Sequence, residues 1–350
     1  MTNQTRRTFL QRSAAGAAAV GLATFGASAS AAAQPILLPR RLKRGDTIGL
    51  ISPSMARYER TPFAIAHENL QALGFKVKEG KWLRARNGYF AGTDMQRAED
   101  INAMFADPEV NGIMAMSGGA GATRILGMID YATIRRNPKC LTGFSDITAL
   151  HNAIQARTGL VTFHGPMGAS DWNPFTTNYF QRVLIEGEAV TFANEIDREE
   201  RLTQAKWRTE TLRSGRARGR LIGGNLSVLN TLLGTPHVPD FRGAILAIED
   251  VDEYIYRIDR MLAHLRLAGA LDQLVGVVIG QFTDCKPGEG FGRLALEEVF
   301  DDYFKPLNIP VFSGSQFGHI RHYFTLPIGL EVEIDANAGT IAMLKPAVAG

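Results

Sequence analysis

Ser145 closes an apolar run in Gly143-Phe144-Ser145-Asp146-Ile147-Thr148, and a helical pattern starts directly after it. A serine on a sharp strand-to-helix turn projects its hydroxyl while the first N–H groups of the helix face the same point. That suits a nucleophile whose attack builds an oxyanion. The same serine also reads as an ordinary helix N-cap. Nucleophilic chemistry needs a base, and the base needs a carboxylate to orient it. Carboxylates cluster at Glu249-Asp250-Val251-Asp252-Glu253, just past an apolar strand at 244–248, where one could orient a histidine, although composition alone favours a solvated acidic turn or a hard-cation site. The seven histidines are His67, His151, His164, His237, His264, His319 and His322. His67, His151 and His264 fall in helical stretches. His319, in the loop Gln316-Phe317-Gly318-His319, is better placed as a mobile base, and His164 before Gly165-Pro166 competes closely.

The elements that must carry these residues alternate between strand and helix. Compact apolar strands are expected at 47–51, 75–77, 112–116 and 141–144, with helices at 63–73, 94–105, 122–128 and 146–157. Short strands separated by helices indicate an α/β fold with a Rossmann-like parallel sheet, in which ligands bind beyond the carboxyl ends of the strands. Ser52, the turn Ser117-Gly118-Gly119-Ala120-Gly121 and Ser145 all lie on that edge. After His164-Gly165-Pro166 the pattern changes, and residues 167–218 read as a polar linker with some helix. A smaller, β-rich α+β unit follows over 219–346, with helices at 226–233, 256–267 and 294–304 and strands at 244–248, 275–279, 310–312, 331–334 and 340–344.

Residues 1–33 stand apart. Thr5-Arg6-Arg7-Thr8-Phe9-Leu10 is a twin-arginine motif, followed by an Ala/Gly-rich run over 14–25 and small residues over 26–33, with Ala27-Ser28-Ala29 or Ala31-Ala32-Ala33 suiting a signal peptidase. The expected partner of this segment is the twin-arginine export machinery, and the expected location is the periplasm. Without Arg6, Arg7 and Arg12 the formal charge is zero, against +3 for the whole chain of 350 residues. No basic face suited to nucleic acid remains, and Arg213, Arg216, Arg218 and Arg220 read as a solvated connecting segment. Cys140 and Cys285 make no disulfide framework, although an oxidising compartment would let them pair, and no Cys/His spacing resembles a zinc site. No metal or cofactor is implied.

Seven segments in order resemble the LD-carboxypeptidase family, serine peptidases acting on murein peptides, a group that includes the microcin C self-immunity proteins. They are Phe90-Ala91-Gly92-Thr93-Asp94, Gly118-Gly119-Ala120-Gly121, Gly143-Phe144-Ser145-Asp146, His164-Gly165-Pro166, Gly223-Gly224-Asn225-Leu226, Glu249-Asp250 with Tyr256-Arg257, and Phe317-Gly318-His319. The resemblance runs over 44–346. It implies a nucleophile domain over 44–166, a second domain carrying acid and base, and a triad of Ser145, Glu249 and His319. It also implies oxyanion donors at the backbone N–H of Asp146 and in the Gly118-Gly119 turn. Ser117, Asn225 and Ser52 are the expected substrate contacts. The implied reaction releases D-alanine from a murein tetrapeptide through an acyl-enzyme, and a homodimer is a further partner that the family suggests.

The chain departs from the family where an arginine and a tyrosine are usual: Ser117 and Ala120 occupy that turn. The glycines persist, so the oxyanion geometry is expected to persist while specificity shifts. Two other readings stay open, a peptidase or amidase of the same mechanism on an antibiotic conjugate, and a non-catalytic exported ligand-binding protein.

Overall fold

The computed structural model describes residues 34–197, 201–288 and 293–350, so the expected export signal lies outside the described residues. Strands β1 (Thr47–Ile51), β2 (Lys76–Glu79), β3 (Gly112–Ala115), β4 (Cys140–Gly143) and β5 (Thr162–His164) form a parallel sheet in the order β2-β1-β3-β4-β5. β3 and β4 are buried at every residue, which is why they read as unbroken apolar runs: helices cover both faces. The helix Asp94–Ala106 starts with a reciprocal capping box between Thr93 and Gln96. The helix Thr148–Thr158 ends on Gly159 in the left-handed region.

The other strands are β6 (Thr191–Phe192), β7 (Glu210–Arg213), β8 (Arg216–Asn225), β9 (Ala244–Val251), β10 (Gly276–Thr283), β11 (Val311–Ser313), β12 (Leu326–Ile328), β13 (Glu331–Asp335) and β14 (Thr340–Met343). All but β12 form an eight-stranded sheet, β6-β14-β13-β8-β9-β10-β11-β7, with a parallel centre from β8 to β11 and antiparallel flanks. β12 instead returns to the first sheet and pairs antiparallel with β5.

The stretch 167–218, expected to be a linker, is built into the body of the protein. It holds the helix Pro174–Phe180, both edge strands β6 and β7, and the start of β8. The arginines read as a connecting segment belong to these strands. Arg-Ala-Arg-Gly-Arg-Leu is a period-two alternation in which Arg216, Arg218 and Arg220 face outward and Gly219 and Leu221 are buried. Arg216 and Arg218 meet Asp335 and Glu333 across the β8–β13 ladder. Cys140 is buried, Cys285 half-buried, and both are free thiols. Residues 34–350 form one compact unit, and Ile154 of the first half shares a core with Ile222 and Leu226 of the second.

Polar contacts fix the register of that shared core. On the helix Thr148–Thr158, the buried Asn152 donates to Gly223 O at 2.8 Å and accepts from Gly223 N–H at 3.1 Å, while Thr148 Oγ1 accepts from Asn225 N–H at 2.9 Å. The loop after β4 is thereby locked to the end of β8. Replacing Asn152 with leucine leaves two backbone groups of Gly223 unpaired, each worth roughly 1–3 kcal/mol. Urea unfolding of Asn152→Leu should show a loss of about 2–6 kcal/mol with an unchanged m-value, whereas a change below about 0.5 kcal/mol would contradict this account of the seam.

Candidate active site

β4 runs Cys-Leu-Thr-Gly into the turn, Phe144 is fully extended, and Ser145 then adopts φ of +63° before the chain enters a short 3₁₀ turn and the helix Thr148–Thr158. A left-handed serine is uncommon and strained. Here it turns the half-buried side chain out of the sheet edge, the geometry of a nucleophile elbow rather than of an N-cap. Ser145 Oγ makes no hydrogen bond among the described residues.

Glu249 enters from β9, in register with Asn225 of β8. It is wholly buried, and its Oε2 lies 2.7 Å from Nδ1 of His319. Its neighbour Asp250 is fully engaged: it accepts from Asn225 Nδ2 at 2.9 Å, from Ser227 N–H and hydroxyl at 2.9 and 2.7 Å, and from Val251 N–H at 2.9 Å. Adjacent carboxylates on opposite faces of one strand therefore take separate tasks, one orienting the histidine and one tying the end of β8. Among the described residues no three His, Cys, Asp or Glu side chains gather as a metal-binding group.

The loop bearing His319 is seated on a bulge of β10. Between Ile279 and Phe282 the ladder slips, which frees Gln281 N–H to donate to Phe317 O at 2.9 Å while its side chain donates to Gly314 O at 2.8 Å. Further along the loop, Glu195 accepts from Gln316 Nε2 at 2.9 Å and lies 2.8 Å from His322 Nδ1. Burial disfavours the His319 imidazolium, but the hydrogen bond and charge of Glu249 outweigh it and hold the ring above its ordinary value. With Nδ1 on the carboxylate, Nε2 is the nitrogen left for chemistry. The ring of Phe144, next to Ser145, meets the His319 imidazole at 5.0 Å and 61°.

The surroundings of His164, the competing base, differ: it is buried, neither ring nitrogen has a partner among the described residues, and burial drives its pKa well below the ordinary value. The glycine turn stands where expected, against the elbow. A Cβ on Gly118 would fall 2.8 Å from Ser145 Cβ and 3.1 Å from Oγ, so only glycine lets the two backbones approach. Gly119 packs on Met55, and neither Gly118 nor Gly119 donates its N–H to another described residue. Asp146, whose backbone N–H belongs to the same elbow, is buried, with its carboxylate accepting from Ser54 Oγ at 2.6 Å and Ala122 N–H at 2.8 Å.

The expected substrate contacts fare differently. Ser52 is buried and donates to Leu83 O at 3.0 Å, and Asn225 caps the helix Leu226–Asn230 while donating to Asp250. Both side chains are thus hydrogen-bonded within the scaffold. Ser117 is buried with an unpartnered hydroxyl. Sequence reasoning missed Thr148, Asn152, Ser54, Gln281 and Glu195, since each acts on a residue tens of positions away and no short-range pattern marks it.

The profile of the LD-carboxypeptidase N-terminal domain matches residues 48–165, and that of the LD-carboxypeptidase C-terminal domain matches 218–334. The chain is 39% identical over 307 residues to a probable murein peptide carboxypeptidase of Bacillus subtilis, covering 86% of this chain and 92% of that one. It is 30% identical to the microcin C7 self-immunity protein MccF of Escherichia coli, covering 88% of this chain and 96% of that one. The structure of wild-type MccF without ligand superposes with a TM-score of 0.80, covering 89% of this chain and all of that one. A muramoyltetrapeptide carboxypeptidase from Oxalobacter formigenes superposes at 0.72 with 29% identity, covering 85% and 97%. An α/β fold of two sheets, a strained serine on the elbow after β4 and a carboxylate–imidazole pair whose ring packs on Phe144, the residue before that serine, thus coincide with sequence likeness over nearly the whole described chain: it belongs to the LD-carboxypeptidase family of peptidases.

Proposed function

We propose that the chain is a serine LD-carboxypeptidase that releases a terminal D-alanine from murein tetrapeptides, with Ser145 as nucleophile, His319 as base and Glu249 as its orienting acid. The observation that carries this reading is the 2.7 Å Glu249–His319 pair, which leaves Nε2 free, with the imidazole 5.0 Å from the ring of Phe144, the residue before an elbow serine in the left-handed region. His319 Nε2 takes the hydroxyl proton as Oγ attacks the scissile carbonyl, and the N–H groups of Asp146 and the Gly118–Gly119 turn donate to the oxyanion. The imidazolium then protonates the leaving amine of D-alanine, and water, activated by the same nitrogen, hydrolyses the ester. The Ser145–His319 hydrogen bond closes when substrate enters, as is common in triads seen without ligand.

A second reading, hydrolysis of a peptide-like antibiotic conjugate, draws on the likeness to MccF and on Ser117 and Ala120, which leave the glycine turn without a cation or an aromatic ring. We further propose export in the folded state, on the strength of Arg6-Arg7, the Ala/Gly-rich run and the small-residue end in that order.

Wild type incubated with a disaccharide-free tetrapeptide should release D-alanine, and Ser145→Ala should lower kcat by at least about 10³-fold. A binding protein would instead hold the peptide tightly in both forms and release nothing. The active His319 is the neutral form, so kcat/KM should rise as pH rises through a midpoint above the ordinary 6.5. Glu249→Gln should move that acid limb to lower pH and cut kcat by about 10²–10⁴-fold; an unmoved limb would remove Glu249 from the mechanism. For export, cell fractionation should find the mature chain in the periplasm and the Arg6→Lys/Arg7→Lys double variant retained inside.

A further inference from the structure

The two loops flanking Ser145 are tied to each other twice, by buried charges of opposite sign. Arg97, on the helix Asp94–Ala106, has a side chain wholly withdrawn from solvent, and its Nη1 donates to Pro53 O at 2.7 Å and to Gly121 O at 2.8 Å. Asp146 makes the matching pair from the other side, taking Ser54 Oγ and Ala122 N–H. Consecutive residues 53–54 of one loop and 121–122 of the other are thus bridged by a cation and an anion in turn.

The guanidinium is held in place by its surroundings. Its second terminal nitrogen pairs with Asp94, which also binds Arg124, and its plane lies 4.8 Å from the Phe90 ring centre. Gly121 has φ of +123°, and a Cβ there would fall 2.9 Å from Arg97 Nη1. Burial disfavours the charged guanidinium and lowers its pKa below the ordinary value, with Asp94 and Asp146 countering part of that effect. A tie that served stability alone would not call for a buried cation, because apolar packing of equal volume does as well or better. What the charges add is direction: each fixes two backbone or hydroxyl groups at set angles.

The segment so fixed runs from Gly118, whose carbonyl accepts from Met55 N–H at 3.4 Å, to Ala122. We infer that Arg97 and Asp146 are positioning residues that hold the Gly118–Gly119 N–H groups against Ser145, so that the oxyanion site exists before substrate arrives. This rests on the proposed function above. Donors already in place stabilise charge that develops only in the transition state, so their displacement lowers kcat and leaves KM nearly unchanged.

The test compares wild type, Ser145→Ala, Asp146→Asn, Arg97→Gln, Arg97→Lys and Ser54→Ala, each with its Tm and its kcat and KM for tetrapeptide. Asp146→Asn and Arg97→Gln should lose about 10²–10³-fold in kcat with KM within about threefold, and Arg97→Lys should recover part of that loss. Ser54→Ala removes one donor without stranding a charge; it should stay folded and lose about tenfold in kcat, which keeps the inference testable if the charge variants do not fold. Folded variants with kcat within about twofold of wild type, or with a change in KM alone, would overturn it. A wild type that releases no D-alanine, or a Ser145→Ala enzyme that still does, is a separate result: it defeats the functional reading and this inference with it.

Discussion

Two buried side chains on one helix, Thr148 and Asn152, hold the backbone of Gly223 and Asn225, and the arrangement of the candidate site hangs on that seam. The helix begins three residues after Ser145, and Asn225 is the ladder partner of Glu249. A few hydrogen bonds therefore set the distance between the strand end that carries Ser145 and the strand end that carries Glu249. Apolar packing across the same boundary supplies most of the cohesion, but it is not directional and would tolerate sliding. Paired backbone groups do not slide without being left unpaired in a dry environment.

From the seam outward, each site residue is held by an element whose regularity is broken at the point of use. β4 ends in a left-handed serine, β10 bulges where the His319 loop docks, and the glycine turn is short of side chains where it meets the elbow. Such breaks are unfavourable locally and are sustained by the rigid sheets on either side. Glu249 illustrates the electrostatic counterpart. Burial alone would drive it toward its neutral form, and the histidine in front of it is the partner that makes a buried charge tolerable.

Much of the first sheet could be read from the chain. Runs such as Gly112–Ala115 and Cys140–Gly143 are apolar at every residue or nearly so, and helices with caps and breakers separate them. The second sheet was less legible. β6 has two residues, β7 and the first half of β8 are rich in charged residues facing solvent, and their partners on β14, β11 and β13 lie about a hundred residues away or more. Edge strands need no continuous apolar run, so a pattern search takes them for linker. β12 is three residues long and joins the sheet of the other half, a placement that local sequence does not mark.

The sequence by itself determined the strand–turn–helix context of Ser145, the carboxylates at the end of β9 and the glycine-preceded His319, because each depends on residue types within a few positions. It left His164 and His319 in competition as base, and it placed Ser52 and Asn225 with the substrate. Only the tertiary structure decided what surrounds each of these side chains. His164 is buried without a partner, a carboxylate lies 2.7 Å from His319, and Ser52 and Asn225 donate to the carbonyl of Leu83 and the carboxylate of Asp250. Burial and hydrogen-bond satisfaction are properties of what surrounds a side chain in space. They become defined once strands distant in sequence have been brought side by side.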